Sequence, residues 1–262
     1  MEALRLVALN CPAPESCRSP VLVRSIARIW LGHNEKSTSF ENYSAAVVNY
    51  LGYMLTPDAV FQVTLPDAVA FVDLDEMWTH DDPKGQKYHF MKAKGESDAD
   101  GYENACRFVY HHANQWVLSA QQEMRLVAQL RLNARGSSRA LPKVEVIASQ
   151  VRELALALHS LQDSFSPGHT RRAYGTDAPG VCRPGYTDFA APVRQLYVYA
   201  EQNHDAHASH DYWSGSTKSP EGRVAIGASA ALIGIGILSI ASASKGLQGW
   251  EAFKRQWLSA RF

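Results

Sequence analysis

The residues best suited to bind a metal ion lie in one short stretch and in one pair later in the chain. His159, Asp163 and His169 have the spacing His-x3-Asp-x5-His, and His207 and Asp211 repeat the four-residue step. Positions i and i+4 share one face of an α-helix, so each His/Asp pair can converge on one ion. Imidazole nitrogens and carboxylate oxygens together suit zinc, which lowers the pKa of bound water. The spacing therefore predicts a hydrolytic metal centre.

The composition limits the classes of function that fit. The chain has 262 residues, 46% of them hydrophobic and 20% charged, which is enough for one sizeable core. Its 26 basic and 26 acidic residues give a formal net charge of zero. This balance disfavours binding to duplex nucleic acid, although a hydrolase that takes single strands into a cleft still fits. The four cysteines lack a CxxC pair and match no zinc-thiolate pattern.

Helical patterns cover most of the chain, and no strand-like alternation is evident, so we expect an all-α fold. Apolar residues recur at three- and four-residue steps from Val144 to Leu161, in a helix that starts at Pro142 and carries His159 and Asp163. Pro167 and Gly168 then break this helix, which lets His169 fold back towards the same ion. Further helices are expected at about 21–31, 40–51, 56–73, 102–135 and 189–213, with loops at about 76–100 and 170–186.

The C-terminal part differs in composition. Val224 to Ala243 contains no charged residue and is long enough to span a bilayer, but it is rich in Gly, Ala and Ser, so a buried core helix is the alternative. Lys245–Phe262 follows as an amphipathic helix with aromatic and basic residues, which suits a membrane interface. We therefore divide the chain into an irregular lead-in (1–20), a metal-dependent domain (21–215) and an apolar segment with an amphipathic basic tail (216–262), which either spans a membrane or packs in the core.

No cleavable signal peptide is evident at the N-terminus. We therefore expect a protein that is cytoplasmic or is exported by a route that reads no N-terminal signal. Contact through residues 224–262 would make it membrane-associated.

The two His/Asp motifs resemble the signature of the zinc-dependent phospholipase C and fungal single-strand nuclease superfamily. The resemblance is closest over about residues 155–212, weaker over 33–95 and absent beyond 215. It implies an all-α, multi-helix bundle with a zinc cluster, usually of three ions, that hydrolyses phosphoesters. On this chain the bundle would be followed by the apolar helix and the amphipathic helix.

The resemblance also implies a set of metal ligands. A first zinc ion is held by Asp73, His89, His159 and Asp163, with Asp75 as an equally spaced rival of Asp73. A second is held by His169, His207 and Asp211. A third needs His33, Asp163 as a bridge and an N-terminal Trp, but this chain starts with Met1, so two ions are as plausible as three. Asp73 or Asp75 also orients or deprotonates the attacking water.

Two arginines follow His169 after one intervening threonine, and they are candidates for binding phosphate. Either Arg171 or Arg172 could clamp a phosphate group with two parallel hydrogen bonds, and a solvated loop is the alternative for each.

Three functions compete at this point. A phospholipase C-like enzyme that acts on phospholipid head groups is favoured by the apolar and Trp/Arg-bearing tail. A nuclease of single-stranded DNA or RNA is the second, because the superfamily includes such enzymes and aromatic residues can stack on bases. A membrane-inserting toxin with a vestigial metal site is the third. A small membrane-seeking hydrolase also fits an antibacterial effector, for which a protein inhibitor is a candidate partner.

Overall fold

The computed structural model describes residues 82–133, 148–173, 190–202, 220–242 and 244–262. These parts of the chain are mostly helical, in agreement with the coarse prediction of a helical protein. The α-helices are α1 (Asp98–Asn133), α2 (Ala148–Asp163), α3 (Pro220–Ala241) and α4 (Trp250–Trp257). Two short 3-10 helices are formed by Gln86–His89 and Tyr199–Glu201, and two strands are β1 (Thr170–Arg172) and β2 (Val193–Leu196).

The long helix α1 confirms the prediction of helix from Tyr102 onwards, but it begins earlier. Ser97 lies just before the helix, and its Oγ accepts a hydrogen bond from the backbone N–H of Asp100 at 3.1 Å. This bond satisfies one of the amide groups that have no partner within the first turn. The polar segment 76–100, predicted as a loop, therefore ends at Asp98, and Gln86–His89 adds a 3-10 turn within it.

Helix α2 delivers the predicted motif, and its apolar stripe faces the core. Leu154, Leu158 and Leu161 are buried in one hydrophobic cluster with residues of α1, α3 and α4. On the side towards α1, the Nδ1 atom of His112 lies 2.6 Å from the Oε2 atom of Glu153. The predicted start at Pro142 lies outside the described residues.

The prediction that the chain has no strands is wrong. Strands β1 and β2 pair in an antiparallel sheet, with Thr170 opposite Leu196 and Arg171 opposite Gln195. The helix predicted from Phe189 is also wrong within 190–202, where β2 and a 3-10 turn stand in its place. Pro192 has no N–H and disfavours helix at the residue before it. In β2 the two end residues Val193 and Leu196 are buried and Arg194 is exposed. The remainder of that predicted helix lies outside the described residues.

Helix α3 contains the apolar segment, and it packs against the other helices. Val224–Ala241 has a mean hydropathy of 2.2 and is long and apolar enough to cross a membrane, yet 56% of it is buried inside the protein. At Gly236 the backbone approaches the ring of Trp116 so closely that an added Cβ would lie 2.0 Å from a ring carbon. Gln121 of α1 donates to the backbone carbonyl of Ser239 at 2.7 Å. These contacts place α3 in the same hydrophobic core as α2, the helix that carries His159 and Asp163.

The amphipathic tail also packs inwards. Phe253, Trp257 and Leu258 are buried, so the aromatic face predicted for a membrane interface contacts the protein interior. The hydroxyl of Tyr102 donates to the backbone carbonyl of Leu258. Beyond α4, the N–H of Val193 donates to the carbonyl of Ser259 at 2.8 Å, which joins the tail to β2.

The close approach of α3 to α1 gives a matched pair of substitutions. We expect Gly236→Ala to lower the free energy of unfolding by about 2 kcal/mol, because the new methyl group overlaps the Trp116 ring. Gly234→Ala is the control, since a Cβ there meets nothing within 4 Å and alanine favours helix. Urea unfolding of both variants measures the difference. Equal stability of the two would contradict the packing of α3 on Trp116.

Candidate metal centre

Four side chains from three separate segments converge at the end of α2. His89 is the last residue of the 3-10 helix Gln86–His89. His159 and Asp163 occupy the last turn of α2, one helical turn apart, and His169 follows the turn that leaves this helix. Every imidazole places a ring nitrogen within 3.4 Å of the Oδ2 atom of Asp163. The carboxylate of Asp163 is therefore the centre of the cluster.

Three of these residues have the geometry of a metal site. The Nδ1 atom of His89 and the Nε2 atom of His159 each lie 3.2 Å from the Oδ2 atom of Asp163. The two nitrogens are 3.3 Å apart. In a tetrahedral site with metal–ligand distances of about 2.0–2.1 Å, neighbouring ligand atoms are about 3.3–3.4 Å apart. The three atoms therefore fit three corners of such a site, and these residues could hold one metal ion.

His169 is fixed by a bond that determines which of its nitrogens can bind a metal. Its Nδ1 atom donates to the backbone carbonyl of His89 at 2.6 Å and lies 3.4 Å from the Oδ2 atom of Asp163. A proton on Nδ1 leaves the lone pair on Nε2, as in metal sites where a backbone carbonyl orients a histidine ligand. Nε2 is therefore the atom with which His169 could bind an ion.

The cluster is buried and charged. The histidines at 89, 159 and 169 are all buried, whereas the side chain of Asp163 keeps 17% of its exposure. Burial raises the pKa of Asp163, but the charges of His159 and His169 and the hydrogen bonds from His159 and His89 outweigh it and hold this pKa well below its usual range. Asp163 is therefore an anion at neutral pH, which is the form that binds a cation.

A tight turn brings the chain from Asp163 back to His169. The N–H of Ser166 donates to the carbonyl of Asp163 at 2.9 Å, and the N–H of His169 donates to the carbonyl of Ser166 at 3.1 Å. The hydroxyl of Ser164 donates to the carbonyl of Leu161, and that of Ser166 accepts from the N–H of Gly168. Both serines thus satisfy backbone groups, Ser164 at the end of α2 and Ser166 within the turn.

The two arginines after His169 differ in their surroundings. Arg172 is buried, and its guanidinium donates to the backbone carbonyls of Ser164 and Ala191 at 2.8 and 2.7 Å. The prediction of Arg172 as a phosphate clamp is therefore corrected, because these carbonyls occupy its donors. Arg171 is exposed on the opposite face of β1 and stays a candidate for binding phosphate.

Several predicted ligands cannot be placed. The residues concerned lie outside the described parts of the chain, and they are His33, Asp73, Asp75, His207 and Asp211. The carboxylate expected to complete the first zinc site, the other ligands of the second ion and the whole third site therefore stay predictions.

Sequence reasoning missed one component of the centre, the backbone carbonyl of His89. This oxygen accepts the hydrogen bond that orients His169, across 80 positions of the sequence. A backbone carbonyl is present at every residue, so no side-chain pattern could have indicated it.

A cleft of about 580 Å³ lies elsewhere, between α1 and α4, and its lining includes Arg107, Tyr110 and Trp250. None of the four cluster residues lines this cleft. The donor atoms rather than this cleft therefore identify the candidate site.

Comparison with known proteins adds no relative. No family model, no curated protein and no solved structure matches this chain. The resemblance to the zinc phospholipase C and nuclease superfamily therefore depends on the motif residues alone.

The centre predicts a specific loss of metal binding. We expect His159→Ala to weaken zinc binding at least 100-fold, because it removes one of the two nitrogen ligands of the candidate site. His111→Ala, at an exposed position of α1, is the matched control and should bind zinc as the wild type does. Competition with a chromophoric chelator measures both affinities. Equal zinc affinity in the two variants would contradict the assignment.

Proposed function

We propose that this protein is a zinc-dependent phosphodiester hydrolase with a zinc phospholipase C-like helical bundle. The observation that carries the proposal is the triangle of ligand atoms from His89, His159 and Asp163, with edges of 3.2–3.3 Å. Two nitrogens and one oxygen make a donor set that suits zinc, and Asp73 or Asp75 is the further ligand that the resemblance implies. A zinc ion bound there supplies Lewis-acid activation of water and of the phosphoryl oxygens.

The chain's own residues have distinct tasks in this proposal. Asp163 is ionised in the metal-free cluster because the neighbouring histidines hold its pKa well below its usual range. Its carboxylate would bind zinc and, as the resemblance implies, would be shared with a further ion. The bond from His169 to the carbonyl of His89 fixes the ring of His169 with Nε2 as its ligand atom. Arg171 lies two residues after His169 and is exposed, and it is the candidate that binds a phosphate oxygen. Asp73 or Asp75 is proposed to orient or deprotonate the attacking water.

Phospholipid head groups are the proposed substrate. The support is the outward side of α3, where Ile226 and Ile237 are partly exposed, Leu238 is exposed, and no charged residue occurs in Val224–Ala241. A surface helix of a soluble protein usually carries polar residues on its outer face. Because α3 is also tied to α1 through Gln121 and Trp116, we propose that it contacts lipid with this side while it stays packed. A nuclease of single-stranded DNA or RNA is the alternative. A chain with zero net charge, however, exerts no overall electrostatic attraction on such a negatively charged substrate.

Chelation and a direct comparison of substrates test the proposal. We expect a chelator to lower hydrolysis of a chromogenic phosphodiester more than 100-fold and added zinc to restore it, because the activation comes from the metal. Phosphatidylcholine vesicles and single-stranded DNA are then assayed side by side, with His159→Ala as the inactive control. Activity that is indifferent to chelators would refute the metal mechanism. Cleavage of DNA alone would favour the nuclease, and a zinc-loaded protein that hydrolyses neither substrate would favour a toxin with a vestigial site.

A substitution on α3 tests the contact with lipid. We expect Leu238→Lys to reduce hydrolysis of vesicle phospholipid at least tenfold, because a charged side chain replaces an exposed apolar one at the lipid-facing surface. Turnover of the small chromogenic substrate should stay unchanged, since this position is exposed and leaves the core intact. Lys245→Gln, at an exposed position beyond α3, is the control for a change of charge nearby. Equal vesicle activity of Leu238→Lys and wild type would remove the argument for lipid contact.

A further inference from the structure

The guanidinium of Arg172 is built into the turn that follows Asp163. Its Nε atom donates to the backbone carbonyl of Ser164 at 2.8 Å, and its Nη2 atom donates to the hydroxyl of Ser164 at 3.0 Å. The guanidinium carbon also lies 4.1 Å from the centre of the Phe165 ring, which is buried. Three contacts of Arg172 thus hold the two residues that directly follow a candidate metal ligand.

The same guanidinium also contacts two more distant segments. Its Nη1 atom donates to the carbonyl of Ala191 at 2.7 Å, before β2, and to the carbonyl of Trp257 at 3.2 Å, at the end of α4. A planar guanidinium directs its five N–H donors in fixed directions, which a lysine ammonium cannot reproduce. Arg172 therefore joins the turn to β2 and to the C-terminal helix at fixed relative positions.

The turn matters because it determines where His169 lies. Residues 164–168 connect Asp163 to His169, and the hydroxyl of Thr170 donates to the same carbonyl of Ser164 at 2.7 Å. His169 reaches the carbonyl of His89 only if this turn keeps its conformation. A metal site needs its ligands held to within about 0.5 Å, so a loosened turn would weaken binding without removing any ligand.

We propose that Arg172 is a positioning residue of the metal centre, which acts by fixing the turn 164–168 between the ligands Asp163 and His169. The proposal rests on the metal centre of the proposed function. It assigns Arg172 a task other than binding phosphate, and it makes the C-terminal helix part of the scaffold of the site, through the carbonyl of Trp257.

The test uses the full chain with Arg172→Lys and Arg172→Met. The matched controls are Arg255→Lys and Arg255→Met, since Arg255 is an exposed arginine of α4. Zinc affinity is measured by competition with a chromophoric chelator. Hydrogen exchange of the amides of residues 164–169 is measured in the metal-free protein. Cobalt replaces zinc in a third measurement, because its absorption spectrum reports the geometry of its ligands.

We expect both Arg172 variants to bind zinc about 10–100-fold more weakly than wild type, as for other residues that orient metal ligands. Their amides at 164–169 should exchange at least tenfold faster, and the cobalt spectrum should change. The Arg255 variants should behave as wild type in every measurement.

Each outcome bears on one of the two proposals. A folded Arg172→Met with wild-type affinity and exchange would overturn the positioning role. If this variant does not fold, Arg172→Lys decides in the same way. If the wild type itself binds no zinc, the proposed function fails. The exchange rates of residues 164–169 then still decide whether Arg172 fixes the turn.

Discussion

The structure of the candidate site depends on one electrostatic arrangement, the convergence of three imidazoles on the carboxylate of Asp163. A buried carboxylate is costly unless charges or hydrogen bonds compensate it, and here His89, His159 and His169 supply them. Because these histidines come from three segments, the arrangement also joins the 3-10 helix, α2 and the following turn. A cation placed among these donors would satisfy the carboxylate and the nitrogen lone pairs together, which makes the cluster a candidate metal centre.

The rest of the described fold provides the rigidity that such a centre needs. Helices α1 and α3 enclose α2 through one hydrophobic cluster, and Gln162, one residue before Asp163, donates to the hydroxyl of Ser229 of α3 at 3.2 Å. The carbonyl of His169 accepts from the N–H of Tyr197, next to β2. The apolar helix and the tail, which look like a separate segment by composition, therefore contribute to the scaffold. Removal of residues 216–262 would expose the core and would not isolate a lipid-binding part.

The parts of the site that the sequence could predict are those encoded by local spacing. His159 and Asp163 are one helical turn apart, so their common face follows from helix geometry alone, and Pro167 and Gly168 indicate the turn towards His169. His89 could be found only through the family resemblance, because its approach to α2 is a long-range contact. The strands were missed because they are three and four residues long and are paired by distant residues. The sequence could not show whether α3 is buried in the protein or lies in a membrane, because both kinds of helix have a similar apolar composition.

The most direct test of the central claim is X-ray absorption spectroscopy of the zinc-loaded protein. The account predicts a four-coordinate site with nitrogen and oxygen neighbours at about 2.0–2.1 Å and the outer-shell scattering of histidine rings. It also predicts that this scattering decreases when one histidine of the cluster is replaced. A zinc environment of six oxygens, or of sulfur at about 2.3 Å, would place the metal elsewhere on the chain and would contradict the account.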